Sequence, residues 1–179
     1  MAINEEQQLG RAKNAVLSFL EQRLSVPKIY IDADWDGHHI DVLAINRDGV
    51  GDVHAVLLFL RPYFQDGRLD LQQQDEQVGV LLDRFSSIAA NYKYIAAVDP
   101  EYIATSDNSR WIAQFRVDSY PLLERLRSPD GIGRIGLLHV SEEEPSVEYR
   151  LKPERFRAKI AKLADEYVHQ HEADWEIRA

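Results

Sequence analysis

The chain has 179 residues and a net charge of −9, from 21 Lys and Arg against 30 Asp and Glu, and it contains no cysteine. That length suits one domain with its own core. The lack of cysteine excludes a disulfide framework, a thiolate zinc site and a cysteine nucleophile, and no apolar run approaches the ~20 residues that a bilayer-spanning helix needs.

Met1 to Glu6 is acidic with no apolar stretch behind it. No signal peptide is expected there, and the chain reads as cytoplasmic and outside the membrane. Residues 5–24 carry one apolar stripe at helical spacing (Leu9, Ala12, Val16, Phe19, Leu20), and Val26-Pro27 ends the helix. Lys28 to Trp35 and His38 to Asn46 read as two strands joined at Asp36-Gly37, a strong two-residue hairpin signal. Arg47 to Asp52 is a turn. Val53 to Leu60 is almost continuously apolar, as a central strand covered on both sides would be.

After Pro62 a loop leads to a helix over residues 70–91, then a strand over 92–98 ending at Asp99-Pro100. Ser109 to Phe115 and Pro121 to Leu126 read as helical, and Ser128-Pro129-Asp130-Gly131 as a turn. A hairpin within 133–151 turns around Glu142 to Pro145, and residues 155–172 close the chain as an amphipathic helix. Its basic residues, with Arg150 and Lys152 before it (Arg155, Arg157, Lys159, Lys162), read as a solvated helix face. The order implies a single α/β domain over residues 1–179, built around a sheet core at 28–60.

Three stretches together resemble the PD-(D/E)xK nuclease-like superfamily, in particular small bacterial proteins associated with DNA repair. They are Ile40 to Ile45 with Asp52 to Phe59, Tyr94 to Glu101, and Gly133 to Val140 with Val147 to Arg150. The resemblance implies a restriction-endonuclease-like mixed β-sheet flanked by helices on both faces. It also implies a family aspartate at Asp41, with the partner acid and lysine positions falling on Leu57 and Phe59. Neither of those residues ligates a metal or carries a proton, so hydrolysis at that site is not expected. The implied function is a catalytically degenerate interaction or regulatory module linked to DNA repair or defence. It would need no cofactor, and would take a protein partner or a second copy in a homodimer. The negative charge disfavours nucleic acid as the partner.

Two alternatives stand beside this reading. The hairpin pairs Trp35 with His38, Asp34 with His39, Ala33 with Ile40 and Asp32 with Asp41. One face then holds Asp32, Asp34, His39 and Asp41, an oxygen-rich set with one imidazole that suits Mg²⁺ or Mn²⁺. Ile31, Ala33, Trp35, Ile40 and Val42 would face the core. The first alternative is therefore a metal-dependent nuclease with a displaced acidic site, with Glu76 as a migrated acid. The bland form is a polar hairpin face neutralised by a nearby basic side chain. The second alternative is a small α/β enzyme or binding protein unrelated to nucleases. Asp32 to Gly37 opens like an EF-hand loop, but Leu43 stands where the bidentate glutamate belongs. Gly131 to Gly136 leads into a strand and fails as a dinucleotide fingerprint. His139 reads as a satisfied structural histidine, and Tyr63 with Phe64 as an exposed apolar patch.

Overall fold

A computed structural model describes residues 4–47, 51–100, 120–126, 134–141 and 146–172. The expected helix at 109–115, the turn at 128–131, Glu142 to Pro145, Trp111 and Trp175 lie outside the described residues. The described elements run α1 (Glu5–Arg23), β1 (Pro27–Trp35), β2 (His38–Asn46), β3 (Val53–Leu60), α2 (Leu71–Ser87), β4 (Tyr92–Val98), α3 (Tyr120–Leu126), β5 (Gly136–Ser141), β6 (Ser146–Leu151) and α4 (Ala161–Gln170).

The strands form one six-stranded sheet in the order β1-β2-β3-β4-β5-β6. β1, β2 and β3 form an antiparallel meander, β3, β4 and β5 are parallel, and β6 returns antiparallel to β5. The architecture is thus α/β with a mixed sheet. β3 is buried along all but its last residue, as its continuous apolar sequence requires.

Two apolar clusters make the core. Ala12, Val16, Phe19 and Leu20 of α1 pack with Val42, Ala44, Val56, Leu58, Ala96 and Leu138. The second cluster joins Val78, Leu81 and Phe85 of α2, Leu122 and Leu126 of α3 and Tyr167 and Val168 of α4 to Leu43, Ala55, Leu57, Phe59, Ile95 and Leu137. Adjacent residues of β3 and β4 alternate between the clusters, the period of two that a strand imposes.

Capping sets the helix starts. Asn4 Oδ1 accepts from Gln7 N at 2.8 Å at the head of α1, and Asp70 Oδ1 from Gln73 N at 3.0 Å at the head of α2. Two helices are shorter than their sequences suggest. α2 stops at Ser87, not at residue 91, because Ile88 turns extended and the next backbone groups are used elsewhere. Trp35 Nε1 donates to Ala89 O at 2.7 Å, Asn91 N donates to Val53 O, and Val53 N donates to Asn91 Oδ1, both at 2.9 Å.

The final helix begins at Ala161 and not at 155. Glu154 N donates to Arg134 O at 2.9 Å and Phe156 N to Asn91 O at 2.7 Å, which ties this stretch to the residues just before β5 and β4 instead of to a helical ladder. Gly136 permits the close passage of the same segment: a Cβ there would lie 2.9 Å from Pro153 Cδ and 3.1 Å from Leu151 O. Among the described residues no helix is long and apolar enough to cross a membrane.

Candidate functional site

The β1–β2 hairpin forms in the register its sequence dictates. Asp36 and Gly37 both take positive φ, 50° and 78°, the conformation of a tight primed turn. Trp35 then pairs with His38, Asp34 with His39 and Ala33 with Ile40. Beyond that point the alternation slips. Tyr30, Ala33 and Trp35 of β1, and Ile40, Leu43 and Ile45 of β2, all join the α2 cluster, while Val42 joins the α1 cluster.

Both strands therefore change phase at one level, next to Asp32 and Asp41. Asp32 absorbs the change with φ of 52°, a left-handed backbone that costs a non-glycine residue roughly 1–2 kcal/mol. Val42 accordingly does not share a face with Ile40, contrary to strict alternation.

The slip turns Asp32 and Asp41 to Lys13 on α1. Lys13 Nζ lies 2.7 Å from Asp32 Oδ1 and 3.6 Å from Asp41 Oδ1. His39 Nε2 stands 3.4 Å and 3.5 Å from the same two oxygens. The other Asp41 oxygen, Oδ2, accepts from the backbone N–H of Leu58 at 2.7 Å, which fixes the carboxylate against β3. Burial works to lower the Lys13 pKa and is the largest single influence. The hydrogen bond to Asp32 and the charges of Asp41 and Asp32 together outweigh it, so the ammonium is held above its ordinary value.

Asp32, His39 and Asp41 offer an oxygen, a nitrogen and an oxygen within 4.8 Å of one another. That donor set is compatible with Mg²⁺ or Mn²⁺, but the lysine already supplies the positive charge that two facing carboxylates require. With Asp32 half exposed, at 52% for its side chain, and Lys13 at 17%, the cluster is a water-edged pocket of charge. It can hold a cation or serve as a polar contact.

No family model, curated protein or solved structure matches the chain.

The remaining residues singled out in the sequence fall elsewhere. Asp34 is exposed opposite His39, two cross-strand pairs nearer the hairpin tip than Asp32 and Asp41, and is outside the ligand group. Leu57 and Phe59 are buried in the α2 cluster, so their side chains are not grouped with the Asp41 carboxylate, which meets α1. The β3 residues on the α1 side are Val56 and Leu58, equally apolar. Glu76 is an exposed residue of α2 that accepts from Gln72 Nε2 at 3.4 Å. It is not part of the cluster.

Lys13 carried no sequence signal beyond its place beside the apolar stripe of α1. A second polar network was also missed as a unit. Arg61, 2% exposed, follows β3; Asp99 follows β4; His139 lies on β5. Arg61 Nη1 donates to Asp99 Oδ1 at 3.0 Å and to the Tyr63 hydroxyl at 2.8 Å, and Tyr63 donates to the same aspartate oxygen at 3.0 Å. His139 Nε2 lies 2.5 Å from Asp99 Oδ2. Gln74 Oε1 accepts from Arg61 Nε at 3.3 Å. Tyr63 is thus a polar anchor and not part of an apolar patch, and Phe64 beside it carries the Arg68 guanidinium 5.5 Å from its ring. Burial pushes the Asp99 pKa up, but the bond from His139 and the charge of Arg61 together hold it below the usual carboxylate value. The signal was available: three neighbouring parallel strands carry these polar residues at their same ends.

Proposed function

We propose that this protein is a catalytically degenerate, restriction-endonuclease-like domain, with helices on both faces of its sheet, that works as an interaction or regulatory module. One observation carries the reading: Lys13 Nζ, 2.7 Å and 3.6 Å from two aspartate oxygens, supplies between these carboxylates the positive charge that a divalent cation would otherwise bring. The strand next to Asp41 adds to it, because Val56, Leu57, Leu58 and Phe59 supply neither acid nor lysine. The division of β3 side chains between an α1 cluster and an α2 cluster supports the layered architecture. The order of a helix, a three-stranded meander, a helix and a parallel strand supports it too. A protein partner or a second copy is the expected ligand, with DNA repair or defence as the setting.

A second reading rests on the 4.8 Å grouping of Asp32, His39 and Asp41. In that reading the site binds Mn²⁺ or Mg²⁺, Lys13 moves aside to contact phosphate, and the protein is a nuclease with a displaced centre. Calorimetric titration with Mn²⁺ and Mg²⁺, alongside DNA cleavage, separates the two. The degenerate reading expects neither heat of binding nor cleavage from the unaltered protein. Binding and cleavage that both vanish in Asp41→Ala would establish the nuclease.

A further inference from the structure

Between β6 and α4 the chain does something its sequence pattern concealed. Residues 150–162 contain six Lys and Arg and one acid, Glu154, in a chain whose net charge is −9. As a helix these cations would spread around the surface. The structure instead alternates them with apolar residues. Phe156 and Ala158 are half buried and Ile160 is buried, while Arg155, Arg157 and Lys159 are exposed, with Lys152 and Lys162 exposed to either side. This alternation has a strand-like period of two, for which alternate residues stand roughly 7 Å apart.

The row is anchored at Phe156 and Arg155. Phe156 N donates to Asn91 O at 2.7 Å, and Lys93 Nζ lies 4.5 Å from the centre of the Phe156 ring. Arg155 is tied to Asp52 Oδ1 through Nη2 at 2.8 Å and Nε at 3.1 Å. Arg157 and Lys159 have no ion-pair partner among the described residues. An acidic protein therefore presents a row of exposed cations that alternate with partly buried apolar residues.

We propose that this strip binds single-stranded nucleic acid by tracking its phosphodiester backbone. A duplex is disfavoured because the strip is irregular chain, with neither a helix nor a β-ribbon of its own to enter a groove. An acidic peptide gains affinity from side-chain pockets or from pairing with a free strand edge. Here the inward N–H groups of Glu154 and Phe156 are already bonded, and the row is a line of charge. Evenly spaced charge with no sequence-specific pocket matches a backbone whose charge repeats regardless of base. No exposed aromatic lies on the strip, so base stacking adds nothing and binding is sequence-independent and strongly salt-dependent. The proposal goes beyond the degenerate-site reading and is independent of any metal.

The test is fluorescence anisotropy of a labelled oligothymidylate of about 20 nucleotides with the intact protein in EDTA. Binding is expected at about 25 mM salt, with log K falling against log salt at a slope of about −1.4, two phosphates met by Arg157 and Lys159 at about −0.7 each. Arg157→Glu with Lys159→Glu should weaken binding at least tenfold and flatten the slope by more than ~1. Arg157→Lys with Lys159→Arg should bind as the unaltered protein does. Unchanged circular dichroism and melting of both variants keep the comparison sound. The proposal is overturned if the oligonucleotide does not bind, if charge reversal leaves its affinity unchanged, or if poly-glutamate competes as well at equal charge. The presence of EDTA keeps this result separate from the metal titration.

Discussion

The Lys13–Asp32–Asp41–His39 cluster and the Arg61–Asp99–His139–Tyr63 network use the same chemical groups: a cation, carboxylate and imidazole. They differ in where the sheet puts them. The first lies between β1, β2 and α1, with Asp32 and His39 forming its edge open to water, and was created by a local slip in strand phase. The second closes the ends of three parallel strands and contains an arginine almost wholly removed from solvent. Burial converts identical contacts into different properties. A solvated ion pair contributes little and can exchange partners, whereas a buried one contributes modestly when intact and is costly to break.

The largest effect should come from removing one side of the buried network. Arg61→Met leaves the buried Asp99 carboxylate with only His139 and Tyr63 as partners, and should lower stability by about 3 kcal/mol in urea denaturation. Adding Asp99→Asn should recover part of the loss. A single-variant loss below ~1 kcal/mol would place Arg61 with the solvated pairs.

Next comes pH. Burial, opposed by the charge of Asp52, lowers the His54 pKa from 6.5 to about 4, and its Nδ1 is 2.9 Å from the Tyr94 hydroxyl. Unfolded histidine protonates near 6.5, so between 6.5 and about 4 the unfolded chain binds more protons than the folded one. Stability present above that window should fall by about 3 kcal/mol as pH drops through it. His54→Phe should flatten this limb. Asp99, held below 3.8, should add a further loss at lower pH that His54→Phe leaves in place. A limb unchanged in His54→Phe would assign the titration to another group.

The exposed cluster should respond least. Lys13→Met is expected to cost at most about 1 kcal/mol, with the loss shrinking as salt rises. A loss of several kcal/mol would remove the contrast between the two regions.

Much of this fold was legible because hydrophobic period and turn chemistry act locally. Asp36-Gly37 set the hairpin register, and β2, β3 and β4 begin and end where apolar runs meet polar or proline residues. What was illegible depends on distant partners. Nothing near Asp32 in sequence shows that its backbone will turn left-handed and carry Asp41 to α1. The grouping of Asp32, His39 and Asp41 was foreseeable from strand pairing; the lysine between them, 19 residues before Asp32, was not. Likewise Phe156 and Ile160 sit where a helical face or an extended strip would both be apolar. The hydrogen bonds to Arg134 and Asn91 decide between them.

In the proposed reading Lys13 supplies the charge that a metal ion would otherwise bring to Asp32 and Asp41. Calorimetric titration of Mn²⁺ into the unaltered protein and into Lys13→Met tests it most directly. Mn²⁺ should bind the variant, whose two carboxylates and imidazole lack their counter-ion, and should give no heat with the unaltered protein. Equal binding by both proteins, or by neither, would contradict the account.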